Sequence, residues 1–265
     1  MIRQGIEATG IAGSAVCLHS SLRSFGHVDG GAETVIEAFL ESGCTLLVPT
    51  FTEQFMVAPD PSQIPPRNGW DYLAAESLPA RTDEVYNPES SIIDDDMGAV
   101  AKAVVRRPDR IRGDHPLDPF AAVGPLAREL IEKQAWNDVY APLRELTRLG
   151  GYVVLAGVGL NRMTLLHLSE ALAGRRLFRR WATGPDGEPV AVQIGSCSEG
   201  FPRLDAFIGM LAVETTVGSS PWRVFPAAET VTSAAAIMRV NPEITSCGDE
   251  ECLRCPDAIA GGPEK

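Results

Sequence analysis

The sequence predicts an α/β fold: a single mixed domain over residues 1–265 with a central, largely parallel sheet flanked by helices. Three observations predict it. A strand–helix–strand unit opens the chain, an order that favours a parallel pair. A third apolar run, residues 152–158, leads directly into a helical segment. Helical patterns recur between and after these runs, with no internal repeat and no linker.

Residues 15–19 and 44–49 are short and apolar, as buried strands are. Between them, Gly31–Glu41 has helical spacing, with Val35, Ile36, Phe39 and Leu40 facing one way. The Ser- and Gly-rich loop 20–31 joins strand to helix, where backbone amides can meet a phosphate. Its glycines do not match dinucleotide or P-loop spacing, so a plain turn is the competing reading. Residues 51–88 read as irregular, and loops of that length in a domain are usually functional or mobile. Asp94, Asp95 and Asp96 precede a helix that ends near Pro108; they suit its dipole and could equally meet a cationic substrate. Residues 110–125 read as loop, and 126–134 and 142–149 as helices. A basic cluster, Arg175-Arg176 and Arg179-Arg180, precedes a Gly/Pro turn at 184–189 and a strand at 190–195. Residues 204–211 and 227–239 read as helices. Residues 241–265 read as a Cys-rich tail whose last dozen positions are expected to be mobile.

The composition, 45% hydrophobic and 22% charged, is that of an ordinary globular protein. No apolar run reaches the roughly 20 residues a membrane span requires. The first residues lack a signal-peptide pattern, so a cytoplasmic location is expected. The net charge of −12 argues against nucleic-acid binding and favours a cationic ligand.

Six cysteines are present. Cys17, Cys44 and Cys197 are scattered, and the first two fall in strand-like runs as buried thiols do. Cys247-x4-Cys252-x2-Cys255 is different. A Cys-x2-Cys pair can pinch a zinc ion with Cys247 as third ligand, but a structural site usually takes four. The nearest further candidates, Asp249 and Asp257, are weak choices, and no His is nearby. Zinc and a reduced tail both stay open, and no metal is assigned to catalysis.

Thr164-Leu165-Leu166-His167-Leu168-Ser169-Glu170 follows the apolar run 152–158. The three-residue step puts His167 and Glu170 on one helical face. Ligands of α/β proteins sit where a strand's carboxyl end meets the next helix. A carboxylate-paired imidazole there can take a proton near neutral pH. The competing reading is a capping or core histidine.

Several segments occur in a telling order: His19-Ser20-Ser21-Leu22-Arg23-Ser24-Phe25-Gly26, Gly30-Gly31-Ala32, Leu47-Val48-Pro49-Thr50-Phe51-Thr52, Met97-Gly98, Arg112-Gly113-Asp114-His115-Pro116, Phe120-Ala121-Ala122-Val123-Gly124, Pro142-Leu143 and Thr164-x2-His167-x2-Glu170. From about residue 12 to residue 240 the series resembles the antibiotic N-acetyltransferase family, the aminoglycoside 3-N-acetyltransferases. The resemblance implies that family's fold rather than the Gcn5-related acetyltransferase fold, whose Arg/Gln-x-x-Gly-x-Gly/Ala loop has no convincing copy here. It implies acetyl transfer from acetyl-coenzyme A to the 3-amino group of an aminoglycoside in a ternary complex. His167 would be the base, Glu170 its partner and Thr164 a donor to developing oxygen charge. Ser20, Ser21, Leu22 and Arg23 would hold the coenzyme, and Gly30, Gly31, Thr50 and Arg112 would line the same cleft. Candidates for the cationic substrate are Asp71, Asp94, Asp95, Asp96 and Asp205, the last equally suited to capping a helix. The chain departs from the family at Gly113, Ala141 and Asn87, where Ser, Ser and Asp are usual, and residues 57–68 look inserted beside the substrate cleft. These departures bear on substrate identity. The alternatives are an acetyltransferase for another small amine or a non-catalytic binder of cationic molecules. Cysteine acylation has no activated thiol in view. A metal hydrolase would need His19, His115 and His167 to converge. A monomer or a homodimer is expected.

Overall fold

A computed structural model of the chain describes residues 1–72 and 84–264. The long irregular stretch 51–88 therefore lies partly outside the described residues. The elements are α1 (Ile2–Ala8), β1 (Ala15–Ser20), α2 (Gly31–Glu41), β2 (Thr45–Pro49), β3 (Met56–Val57), α3 (Ala99–Arg106), β4 (Ile111–Arg112), β5 (Phe120–Val123), α4 (Ala127–Ile131), α5 (Ala141–Arg148), β6 (Tyr152–Ala156), α6 (Leu165–Leu172), β7 (Phe178–Thr183), β8 (Pro189–Ile194), α7 (Asp205–Ile208), β9 (Val213–Val217), β10 (Ser220–Pro226), α8 (Ala227–Val240) and α9 (Arg254–Ile259).

Seven strands form one sheet in the order β4-β5-β2-β1-β6-β10-β9. The expectation of a largely parallel sheet needs correction. Only β1 with β2 and β1 with β6 are parallel; the four outer pairings are antiparallel. The reason is connection length. α2 provides the crossover from β1 to β2, whereas β9 and β10 are joined by Gly218-Ser219 alone, and two residues can only reverse a chain. Gly218 has φ +64, the left-handed conformation such turns require. The strands β4 and β5 lie within the stretch read as loop: they are short, and Ala121-Ala122 carries little strand propensity.

Strand residues alternate between two apolar layers. Cys17, Leu47, Val153, Leu155 and Phe225 pack under α4, α5, α6 and α8. Val16, Leu18, Leu46, Val48, Val154 and Val224 pack under α1, α2 and α3. Helices on both faces leave the carboxyl ends of β1, β2 and β6 free to build a site.

β3, β7 and β8 form a separate antiparallel sheet. The strand β7 holds the Arg179-Arg180 cluster, which conceals its strand character in the sequence. Arg180 is buried, with its guanidinium 4.9 Å from the Trp70 ring centroid. The segment 204–211 is not one helix: 3-10 turns flank the four residues of α7. The tail packs onto the body. Asp257 accepts from the Gly69 amide at 2.7 Å, Arg176 N–H donates to Gly261 O at 3.0 Å, and Glu264 N–H donates to Pro66 O at 3.1 Å. These bonds tie down backbone that its composition marks as mobile. Among the described residues no helix is long and apolar enough to cross a membrane.

Candidate active site

A cleft of about 780 Å³ opens at the carboxyl ends of β1, β2 and β6. His19 and Ser20 end β1, and after Ser21 the chain turns away in a short 3-10 turn, Leu22–Phe25. Asp95, Asp96 and Lys102 enter from the segment before α3 and from α3 itself. Thr164 and His167 come from the start of α6, and Gly195, Ser196 and Ser198 from the segment after β8. Arg254 of α9 closes one side.

His167 is held by a carboxylate and two aromatic rings. Its Nδ1 lies 2.8 Å from Glu170 Oε2. A carboxylate can only accept, so Nδ1 donates and Nε2 is left as the acceptor. Glu170 is buried and accepts twice more, from Ser196 Oγ at 2.6 Å and from Arg175 Nη1 at 2.7 Å. Burial alone would push the Glu170 carboxyl up. The bond and charge of His167, the Ser196 hydroxyl and the Arg175 charge outweigh burial and hold it below its ordinary value. Arg175 is anchored in turn by donating to Thr245 Oγ1 and Pro242 O, each at 2.7 Å. The Tyr140 ring lies parallel to the imidazole at 5.9 Å, and the Phe201 ring approaches to 4.8 Å. Gly195 is required here: a Cβ would stand 2.5 Å from Tyr140 Oη and 2.9 Å from the imidazole.

Charges of both signs line the cleft. Arg23, Lys102, Arg162 and Arg254 line it, and Arg23 and Arg162 make no ion pair among the described residues. Glu53, Asp95, Asp96 and Asp118 line it as well. Burial, with the charges of Glu53 and Asp94, pushes the Asp118 carboxyl up to about 7. Burial lowers His19 to about 4.

The predicted site residues divide in two. Ser20, Ser21, Leu22, Arg23, Thr164, His167, Asp95 and Asp96 line the cleft, with Glu170 directly behind His167. The Thr164 hydroxyl has no hydrogen-bond partner among the described residues, as suits a group facing the cleft. Thr50 and Arg112 do not line it. Both are buried, and the guanidinium donates to Thr50 Oγ1, Thr50 O and Ser90 O. Gly30 and Gly31 turn the chain into α2 and do not line the cleft. Asp94 accepts from the Glu53 amide at 2.8 Å, so it braces the wall. It does not cap α3, which starts after Gly98. Asp205 pairs with Arg223 at 2.5 Å, and neither it nor Asp71 reaches the cleft. His115 Nδ1 accepts from the Asp118 amide at 2.8 Å, a turn-bracing role that removes it as a cleft ligand. Sequence reasoning missed Glu53, Asp118, Tyr140, Arg175 and Ser196; of these only Arg175 carried a signal, as part of the basic cluster.

A family model for aminoglycoside 3-N-acetyltransferases matches residues 17–239. The chain belongs to the aminoglycoside 3-N-acetyltransferase family. It is 38% identical over 174 residues to aminoglycoside N(3)-acetyltransferase IX of Micromonospora chalcea, a match covering 63% of this chain and 59% of that enzyme. With aminoglycoside N(3)-acetyltransferase III of Salmonella sp the identity is 31%, over 78% of this chain and 73% of the other. The fold matches the apoenzyme of aminoglycoside acetyltransferase AAC(3)-IVa with a TM-score of 0.75 and 26% identity, over 98% of this chain and 95% of that one. A histidine-to-alanine mutant of the same protein, in complex with a gentamicin, gives a TM-score of 0.76.

Proposed function

We propose that this member of the family transfers an acetyl group from acetyl-coenzyme A to the 3-amino group of an aminoglycoside, with His167 as general base. The observation that carries the reading is the Glu170-anchored imidazole in a cleft lined by both cationic and anionic side chains. The cations Arg23, Arg162 and Arg254 suit the phosphates of coenzyme A, and the Ser20–Arg23 turn offers amides and hydroxyls beside them. The carboxylates Glu53, Asp95, Asp96 and Asp118 suit a polycationic acceptor. Acetyl-coenzyme A, when bound, supplies the activated acyl carbon.

The chain's residues do the rest. Nε2 of His167 takes the proton from the acceptor amine as its nitrogen bonds to the acyl carbon; the carbon–sulfur bond breaks, and that proton leaves with the coenzyme as its thiol. The imidazolium that results is stabilised by Glu170, whose own charge is secured by Ser196 and Arg175. The Thr164 hydroxyl can donate toward oxygen charge as it develops. Tyr140 and Phe201 keep the ring in register and exclude water from it. A cysteine nucleophile is disfavoured, because burial drives the Cys17 thiol far up and raises Cys44 as well.

Thiol release from acetyl-coenzyme A, measured with a panel of aminoglycosides, tests the reading. Amine-dependent release is expected, abolished in His167→Ala with aminoglycoside binding retained in calorimetry. Coenzyme binding without release would move the acceptor to another amine. Absence of coenzyme binding would overturn the reading.

A further inference from the structure

Folding joins Cys197 to the three cysteines of the tail. The Sγ atoms of Cys197, Cys247, Cys252 and Cys255 all lie within 4.8 Å of one another, and all four thiols are free. Ligands around one zinc at a Zn–S length of about 2.3 Å stand roughly 3.8 Å apart, so small rotations of the side chains close the set. We infer that these four residues form a closed tetrathiolate zinc site.

Three features beyond proximity support it. The Cys247 thiol accepts from the amide two residues on, Asp249, at 3.4 Å. The amides of Glu199 and Arg254 stand in the same relation to Cys197 and Cys252, and the Cys247 amide donates to Cys255 Sγ at 3.3 Å. Amides aimed at sulfur orient thiolate ligands and share their charge. Gly248, at φ +84, lets the chain turn immediately after Cys247. The Arg203 guanidinium also packs against this turn, 3.1 Å from where a Gly248 Cβ would stand.

Four protein ligands leave no open position, so the ion is structural. It would tie the segment after β8 to the tail. Cys197 is the neighbour of Ser196, which bonds Glu170, and Arg254 lies between two of the ligands and lines the cleft. Zinc thereby holds the residues that support the base in place. Binding converts thiols to thiolates and releases their protons to solvent. The inference stands apart from the acetyl-transfer reading.

The test is metal analysis of the full chain, purified without chelator from zinc-supplemented medium, followed by cobalt(II) exchange. About one zinc per chain is expected, with the cobalt form showing thiolate charge-transfer and tetrahedral ligand-field bands. Cys252→Ser should lose the metal. Cys252→His should keep it and shift the cobalt bands, which separates ligand loss from misfolding. Protein that takes up neither ion, a disulfide among the four cysteines, or one equivalent of iron instead would each overturn the inference.

Discussion

Replacing Glu170 by Gln probes the proton chain at its most constrained point. The carboxylate accepts from Arg175 on Oε1 and from His167 and Ser196 on Oε2. An amide has a single acceptor oxygen, so one side must change. The guanidinium loses its counter-charge in either orientation; if the amide nitrogen also faced Arg175, two donors would meet and the buried cation would lose its acceptor as well, at roughly 3–5 kcal/mol. If it faces His167, the ring moves its proton from Nδ1 to Nε2 and the Ser196 hydroxyl rotates to accept. That adjustment costs roughly 1–3 kcal/mol, so it wins. Nε2 then carries the proton and cannot act as a base. General base catalysis is typically worth 10²–10⁴-fold, so kcat should fall by about that factor. KM values should stay close to wild type, since the substrates' binding groups are untouched. Steady-state thiol release gives both constants, and a thermal melt checks folding. A folded variant with kcat within about threefold of wild type would refute the assignment of His167 as base. Stability has a sign of its own. The Glu170 carboxyl is held below its ordinary value, so its contribution is present above that ordinary value and lost as pH falls through the lowered one. The Gln variant should lack that acid-side loss.

Asp118 gives the opposite pH dependence. Its carboxyl is near 7 when folded against 3.8 for the free group, so the native state binds the extra proton and stability falls as pH rises through that window. The whole shift corresponds to about 4 kcal/mol at most. Asp118→Asn should therefore gain Tm relative to wild type as pH rises from about 5 to about 7; a constant difference across that range would count against the raised carboxyl. Arg112→Met should leave the Thr50 and Ser90 carbonyls without their donor, costing roughly 2–4 kcal/mol and lowering Tm by about 10 °C. KM for acetyl-coenzyme A should hold; a raised KM at unchanged Tm would return Arg112 to the cleft.

Local patterns carried the centre of this molecule. The strands β1, β2 and β6, the helix α2 and the His167/Glu170 step were legible because apolar period and residue spacing act within a few residues. The edges of the sheet were not. β4 and β5 are short and Ala-rich, and β7 hides behind Arg179-Arg180, where the burial of Arg180 is compensated only by contacts made after folding, such as Trp70. Sheet direction followed the same divide: the central crossover was visible, while the antiparallel outer pairings depend on which strands meet.

The site shows the division most sharply. The residue types and order along the chain determined the family, the pairing of His167 with Glu170 proposed as base and partner, and the loop of Ser20 to Arg23. Charge alone could not sort the aspartates, because Asp95 and Asp205 look alike until Arg223 takes one and the cleft takes the other. Arg112 and Thr50 carry the marks of ligand contacts, yet they satisfy each other in the interior. Ser196 reaches Glu170 across 26 positions, and Cys197 reaches Cys247 across 50. Separations of that length are closed only by tertiary packing, which pays the entropy of bringing distant chain together, so no local pattern could announce them.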